Sequence, residues 1–163
     1  MSGGEKNGEA VPKIDITKVP VRSGSFYPAL FKPAHEGRHK QALGDAGGLT
    51  QLGVNVTRIS PGAASALRHW HEAEDEFIYV LEGELVLVEN EGETVLQPAD
   101  AAAFKAGSGN AHRLINRGNR DAVYLEIGTR ATADRVHYPD DDLLLERDAQ
   151  SRRYLHKSGE PYT

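Results

Sequence analysis

His69 and His71 stand one residue apart. In a β-strand, side chains at i and i+2 leave the same face about 7 Å apart, so both imidazoles can reach one ion. Glu76 follows after four intervening residues, room for a tight turn and the start of a next strand that ends at Gly83. A further imidazole, His112, lies in the run Ala111-His112-Arg113-Leu114-Ile115-Asn116, directly after the glycine-rich loop Gly107-Ser108-Gly109-Asn110. His35, His39, His137 and His156 lack such spacing and read as surface or packing residues. The chain has no cysteine, which excludes a disulfide framework, a thiolate metal site and a cysteine nucleophile. Any metal bound here must therefore be held by nitrogen and oxygen.

These residues need strands to hold them, and from Leu49 to Tyr138 short apolar or alternating runs recur between Gly, Pro and Asn breaks at roughly ten-residue intervals. The candidate strands are 49–59, 66–71, 75–83, 84–90, 93–97, 101–106, 111–116 and 121–130, with Asn90-Glu91-Gly92 as a hairpin loop. Eight strands of this kind imply an all-β closed barrel or sandwich, which pairs its sheet edges. Four segments follow: a flexible N-terminal arm over 1–20, an extended segment packing on the barrel over 21–48, the barrel itself over 49–138 and a C-terminal hairpin over 139–163. Pro28 and Pro33 favour an extended chain over a helix in the second segment.

A length of 163 residues suits one domain. The 19 Lys+Arg against 24 Asp+Glu, net charge −5, argue against a nucleic-acid partner, whose phosphates are met by an excess of basic residues. No run approaches about 18 uninterrupted apolar residues, and the opening Met1–Ala10 has no apolar stretch, so a cytoplasmic protein without membrane association is expected. From Glu72 to Phe104 there are ten acids and no Lys or Arg. Glu72, Glu74 and Asp75 fall in the turn between His71 and Glu76, where the cations expected to answer them are Arg68, Lys105 and Arg113.

The spacing resembles that of the cupin superfamily of double-stranded β-helix (jelly-roll) barrels. Gly62, His69, His71, Glu76 and Gly83 match its first motif, with six residues instead of five between Gly62 and His69. Gly107, His112 and Asn116 match the second, where Ala99 replaces the usual glycine, Lys105 the usual proline, and four residues instead of two separate Gly107 from His112. The resemblance covers about residues 50–130. It implies a divalent transition metal (Zn, Mn, Fe or Ni) held by His69, His71, Glu76 and His112 at the barrel mouth, and such a three-nitrogen, one-oxygen set suits these ions better than Ca or Mg.

Small single-barrel cupins resemble sugar or sugar-phosphate isomerases, so the resemblance implies a metal that polarises a carbonyl or hydroxyl while a base moves a proton between neighbouring carbons. Val123, Leu125 and Ile127 form one face of their strand and leave Tyr124 and Glu126 on the other as catalytic candidates. Alternation alone does not say which face turns inward. A non-haem dioxygenase and a non-catalytic binder of a small ligand are the alternatives. Phe77, Tyr79 and Leu81 alternate with the face of Glu76 and are too apolar for open solvent, which implies either a homodimer or cover by the proline-rich arm at 26–34.

Overall fold

Turn residues at regular intervals break the apolar runs into strands too short to do anything but pair with one another. A computed structural model describes residues 12–163, and among these are thirteen strands: β1 (Val21–Ser23), β2 (Arg38–Ala42), β3 (Leu52–Ile59), β4 (Trp70–His71), β5 (Glu76–Glu82), β6 (Leu85–Glu89), β7 (Gly92–Leu96), β8 (Ala101–Phe104), β9 (Arg113–Ile115), β10 (Ala122–Thr129), β11 (Asp134–Tyr138), β12 (Leu143–Arg147) and β13 (Arg152–Leu155). All pairings are antiparallel, and the fold is the jelly-roll barrel that the resemblance implied.

One wall is a six-stranded sheet in the order β1-β2-β3-β10-β5-β8. The other is built from a four-stranded sheet, β13-β12-β11-β4, and a three-stranded one, β7-β6-β9. These two meet where His69 and His112 lie opposite each other and exchange both backbone hydrogen bonds, at 3.1 and 2.9 Å. Antiparallel partners project side chains to the same face, so the seam itself brings the two imidazoles together.

Between the walls, Ile59, Ile78, Val80, Leu85, Leu87, Leu96 and Leu114 form the main core, each side chain worth roughly 1.5–3 kcal/mol of burial. A second cluster gathers Tyr27, Val136, Tyr138, Leu143 and Leu145. Two backbone positions in the turns are informative. Gly83 has φ +73°, and a Cβ there would lie 2.7 Å from the Asp121 carbonyl, so only glycine fits. Ala99, at the place where the motif usually has glycine, adopts φ +75°, alone among the described non-glycine residues.

The N-terminal segment belongs to the sheet. β2 pairs with β3, and β1 with β2. Before them, Ile16–Lys18 is a 3-10 turn capped by Asp15, while Val19 is buried; residues 1–11 of the arm expected over 1–20 lie outside the described residues. Within the stretch read as extended, Ala29–His35 instead forms a 3-10 helix with Pro33 inside it, a winding short enough to tolerate a residue without an N–H. The expected C-terminal hairpin is β12–β13, and β12 also pairs with β11, so it is continuous with the wall that carries His71.

The proline-rich arm does not cover Phe77, Tyr79 and Leu81, which are 40%, 37% and 43% exposed. It turns to the other wall, where Tyr27 meets Tyr138 and Tyr154 edge-on at 5.7 Å each and Phe31 meets Tyr162 at 5.8 Å.

Candidate metal centre

Alternation in β4 sends Trp70 outward, stacked on His137 at 4.3 Å, and the flanking His69 and His71 inward. His69 donates from Nδ1 to the Leu67 carbonyl at 2.8 Å, and His71 Nδ1 meets the buried Asp134 carboxylate at 2.6 Å. Each bond fixes the proton on Nδ1 and leaves the Nε2 lone pair facing the barrel interior. His112 is set differently: its ring lies flat on Phe104, centroids 3.5 Å apart.

Three Nε2 atoms converge on one oxygen. Glu76, the first residue of β5, brings Oε2 to 3.0 Å from His112, 3.5 Å from His71 and 3.8 Å from His69. None of these approaches has hydrogen-bond geometry, and Glu76 Oε2 and His112 Nδ1 are buried without a partner. Donors about 2.1 Å from a shared ion and at right angles to one another sit about 3 Å apart. His69, His71 and Glu76 offer ligand atoms that all lie within 4.8 Å of one another, and His112 adjoins them through Glu76. The set fits a divalent transition ion, which would satisfy the orphaned carboxylate oxygen.

Burial lowers His69 to a pKa of about 4, so it is neutral and able to ligate at physiological pH. Burial acts in the same direction on His71 but is outweighed by the Asp134 hydrogen bond and the charges of Glu76, Asp134 and Glu74, which raise it. For Glu76, burial favours the neutral acid, yet the three surrounding imidazoles hold the carboxyl well below its usual range. A second group, His71, Glu74 and Asp134, also falls within 4.8 Å. Its carboxylates are already occupied: Glu74 pairs with Arg147 and accepts from the Ala131 N–H at 3.0 Å, and Asp134 accepts from the Ala73 N–H at 2.8 Å. That group orients His71.

Tyr124 and Glu126 turn inward, into the same cavity of about 740 Å³. The register explains their place. Gly128 lies opposite Glu76 and Gly53, and Glu126, two residues back on the same face, lies opposite Ile78 and Asn55. The row holding Glu76 therefore has no side chains from β3 or β10 to fill the space beside it. Glu126 receives a hydrogen bond from Lys40 Nζ at 3.0 Å on one oxygen and from the Thr57 hydroxyl at 3.3 Å on the other. Burial and the neighbouring Glu126 charge push the Tyr124 phenol well above its ordinary value, so it keeps its proton.

The expected cationic partners are corrected. Arg68 forks onto Asp140 with two bonds of 2.8 Å, Lys105 is exposed, and neither they nor Arg113 line the cavity. Strand alternation places Arg68 and Arg113 opposite the ligand face, and Lys105 lies in the loop beyond the end of β8. The acids they were to answer are met elsewhere: Glu72 pairs with His137 at 2.6 Å, Glu74 with Arg147, and Asp75 accepts the Ala106 N–H at 2.8 Å. Cations do reach the cavity, from segments far from the motifs: Arg22, Arg38 and Lys40 at the N-terminal side, Arg130, Arg147 and Arg152 at the C-terminal side. The Arg38-x-Lys40 alternation was a readable sign of a shared face. His35, read as a packing residue, is buried and lines the same cavity.

Comparison with known proteins agrees with the fold. A family model described as Cupin domain matches residues 55–128. The tetracenomycin polyketide synthase protein TcmJ of Streptomyces glaucescens is 31% identical over 140 residues, covering 84% of this chain and 85% of the relative. A crystal structure of a sugar phosphate isomerase from a cupin superfamily, from Silicibacter pomeroyi, superposes with a TM-score of 0.90 at 45% identity, covering 93% of this chain and 97% of that one. The polyketide cyclase RemF from Streptomyces resistomycificus shares the fold at 19% identity and a TM-score of 0.60, covering 73% of this chain and 79% of its own.

Proposed function

This chain belongs to the cupin domain family, and from that premise we propose that it is a metal-dependent isomerase acting on a small polar substrate such as a sugar or sugar phosphate. The observation that carries the reading is the convergence, in one cavity, of a four-ligand centre with a separate carboxylate and a separate phenol. His69, His71, Glu76 and His112 would hold a divalent transition metal, Zn, Mn, Fe or Ni, which when bound polarises a carbonyl or an adjacent hydroxyl.

The remaining chemistry belongs to the chain. Lys40 and Thr57 fix Glu126, whose carboxylate takes the proton from the carbon next to the carbonyl and returns it to the former carbonyl carbon, while the hydroxyl proton passes from the first carbon's oxygen to the former carbonyl oxygen. Tyr124 remains protonated and hydrogen-bonds the oxygen on which negative charge grows. Phe104, Ile78 and Leu114 keep bulk water from that end of the cavity.

The test is solvent-deuterium incorporation into a panel of sugar phosphates, with elemental analysis of the same samples. Glu126→Gln lowers exchange by about 10²–10⁴-fold with metal content unchanged, whereas His69→Ala loses the metal. Metal retained in His69→Ala, or full exchange in Glu126→Gln, overturns the reading. Oxygen consumption by the metal-loaded protein would favour the dioxygenase alternative. A second reading draws on the aromatic lining, Phe26, Tyr27, Tyr138 and Tyr154, and on the 31% identical polyketide synthase protein: a polyketide substrate held against these rings. The reading includes a homodimer through the outer face of β5.

A further inference from the structure

Six cationic side chains line the cavity against three carboxylates, Glu74, Glu76 and Glu126. Three of the cations are spoken for: Lys40 by Glu126, Arg147 by Glu74 and Arg130 by Asp45. Among the described residues, Arg22, Arg38 and Arg152 pair with no carboxylate. A divalent metal beside Glu76 would add to the positive excess. Such a cavity lacks an anion.

The unpaired arginines are held in place without being neutralised. Arg38 spends two of its five N–H donors on the carbonyls of Ser65 and Gly24, each at 3.0 Å, and keeps three. Arg152 lies over the Phe26 ring at 5.1 Å and the Tyr154 ring at 5.6 Å and donates to the Tyr154 hydroxyl at 3.1 Å. Arg152 and Phe26 are exposed, which marks this end as the mouth. A separate observation points to a ligand: His35 is 4% exposed, lines the cavity, and has no hydrogen-bond partner on either ring nitrogen. A buried polar group left unpaired is costly, and a bound molecule would satisfy it.

Rings connect the mouth to the metal centre. From His69 the path runs to Tyr138 at 5.9 Å, from Tyr138 to Tyr27 at 5.7 Å, and from Tyr27 to Tyr154 at 5.7 Å, beside Arg152. We propose that the cavity binds a small anion whose phosphate or carboxylate group is held at the mouth by Arg38 and Arg152, with Arg22 beside them. Its body lies along the tyrosine wall past His35, and its reactive end reaches the metal centre. The inference rests on the reading of this cavity as the substrate site, and adds which end carries the charge and what holds it.

Calorimetric titration with inorganic phosphate and with benzoate, in low-salt buffer, tests it on wild type, Arg152→Gln, Arg38→Lys and a His69→Ala/His71→Ala double variant. Because Arg38 also ties down two backbone carbonyls, the exposed Arg152 supplies the variant that leaves the fold alone. The expected result is that at least one probe binds wild type, that Arg152→Gln and Arg38→Lys each weaken it about tenfold, and that the metal-site double variant, which loses the charge of the metal, still binds it measurably. A preference for phosphate identifies a phosphate ester, and a preference for benzoate a carboxylate. Binding of neither probe, binding unchanged in Arg152→Gln, or binding lost only with the metal ligands overturns the proposal. Arginine-dependent anion binding in a protein that exchanges no substrate proton would refute the isomerase reading and leave this one standing.

Discussion

Asp134 touches no substrate, yet it fixes the tautomer of His71 through a 2.6 Å hydrogen bond and is itself held by the Ala73 N–H. Replacing it with Asn keeps the shape and removes the charge that makes the imidazole a better donor. Asp134→Asn is therefore expected to weaken metal affinity by about 10–100-fold, read by competition with a chelator, while the folded far-ultraviolet spectrum is retained. Equal affinity in the two proteins would show that Asp134 is only a packing residue. His35 carries a different prediction. Unfolded, it takes up a proton near pH 6.5; folded, burial and the charges of Arg38 and Lys40 lower it to about 3. Since the unfolded chain binds the proton first, stability present at neutral pH is lost as pH falls from 6.5 toward 3, at up to about 1.4 kcal/mol per pH unit. His35→Phe keeps a ring against Tyr27 and removes that slope. Urea unfolding of the chelator-stripped proteins between pH 7 and 4.5 checks it, and parallel curves would refute it.

At the scale of elements, the turn after β7 is built around Ala99, whose φ of +75° is a conformation that penalises any Cβ. Left-handed backbone costs an L-residue about 1–2 kcal/mol, and glycine's extra freedom when unfolded returns about 0.4–1 kcal/mol of that. Ala99→Gly should stabilise the protein by up to about 1 kcal/mol in chemical denaturation; destabilisation would mean that the methyl group is packed. The departure from the motif at Ala99 was visible in the sequence, but its conformation was not. The same division runs through the fold. The eight strands from β3 to β10 were legible because Gly, Pro and Asn interrupt the apolar runs, and the inward turn of His69 and His71 because alternation puts i and i+2 together. Pairing between residues distant in the chain left no such trace. Nothing local says that His112 lies opposite His69, that β12 joins the wall holding His71, or that Asp134 stands behind that imidazole. The cavity's cations were missed for the same reason, since β2 reaches Tyr124 and Glu126 only through its register with β3.

For the whole molecule, the decisive contrast is between the two faces of the six-stranded sheet. Inward, β5 offers Glu76, Ile78 and Val80 to the candidate metal centre and the core. Outward, Phe77 and Tyr79 align with Ile127 and Leu125 on β10, and these with Val54 and Val56 on β3, so three strands present one apolar surface, extended by Leu81. Isolated exposed apolar residues are ordinary, but a contiguous sheet face of this kind marks an interaction surface. A twofold pairing of this face with itself satisfies it without a second protein. Light scattering should then give twice 17.8 kDa at micromolar concentration, and the melting temperature should rise with protein concentration. A Tyr79→Lys/Leu81→Glu double variant should be monomeric and less stable. Both side chains point away from the cavity, so its metal content should equal that of wild type. A wild-type protein that is monomeric at those concentrations refutes the dimer; a monomeric variant that also loses its metal would show that the centre depends on the interface as well as on the barrel that encloses it.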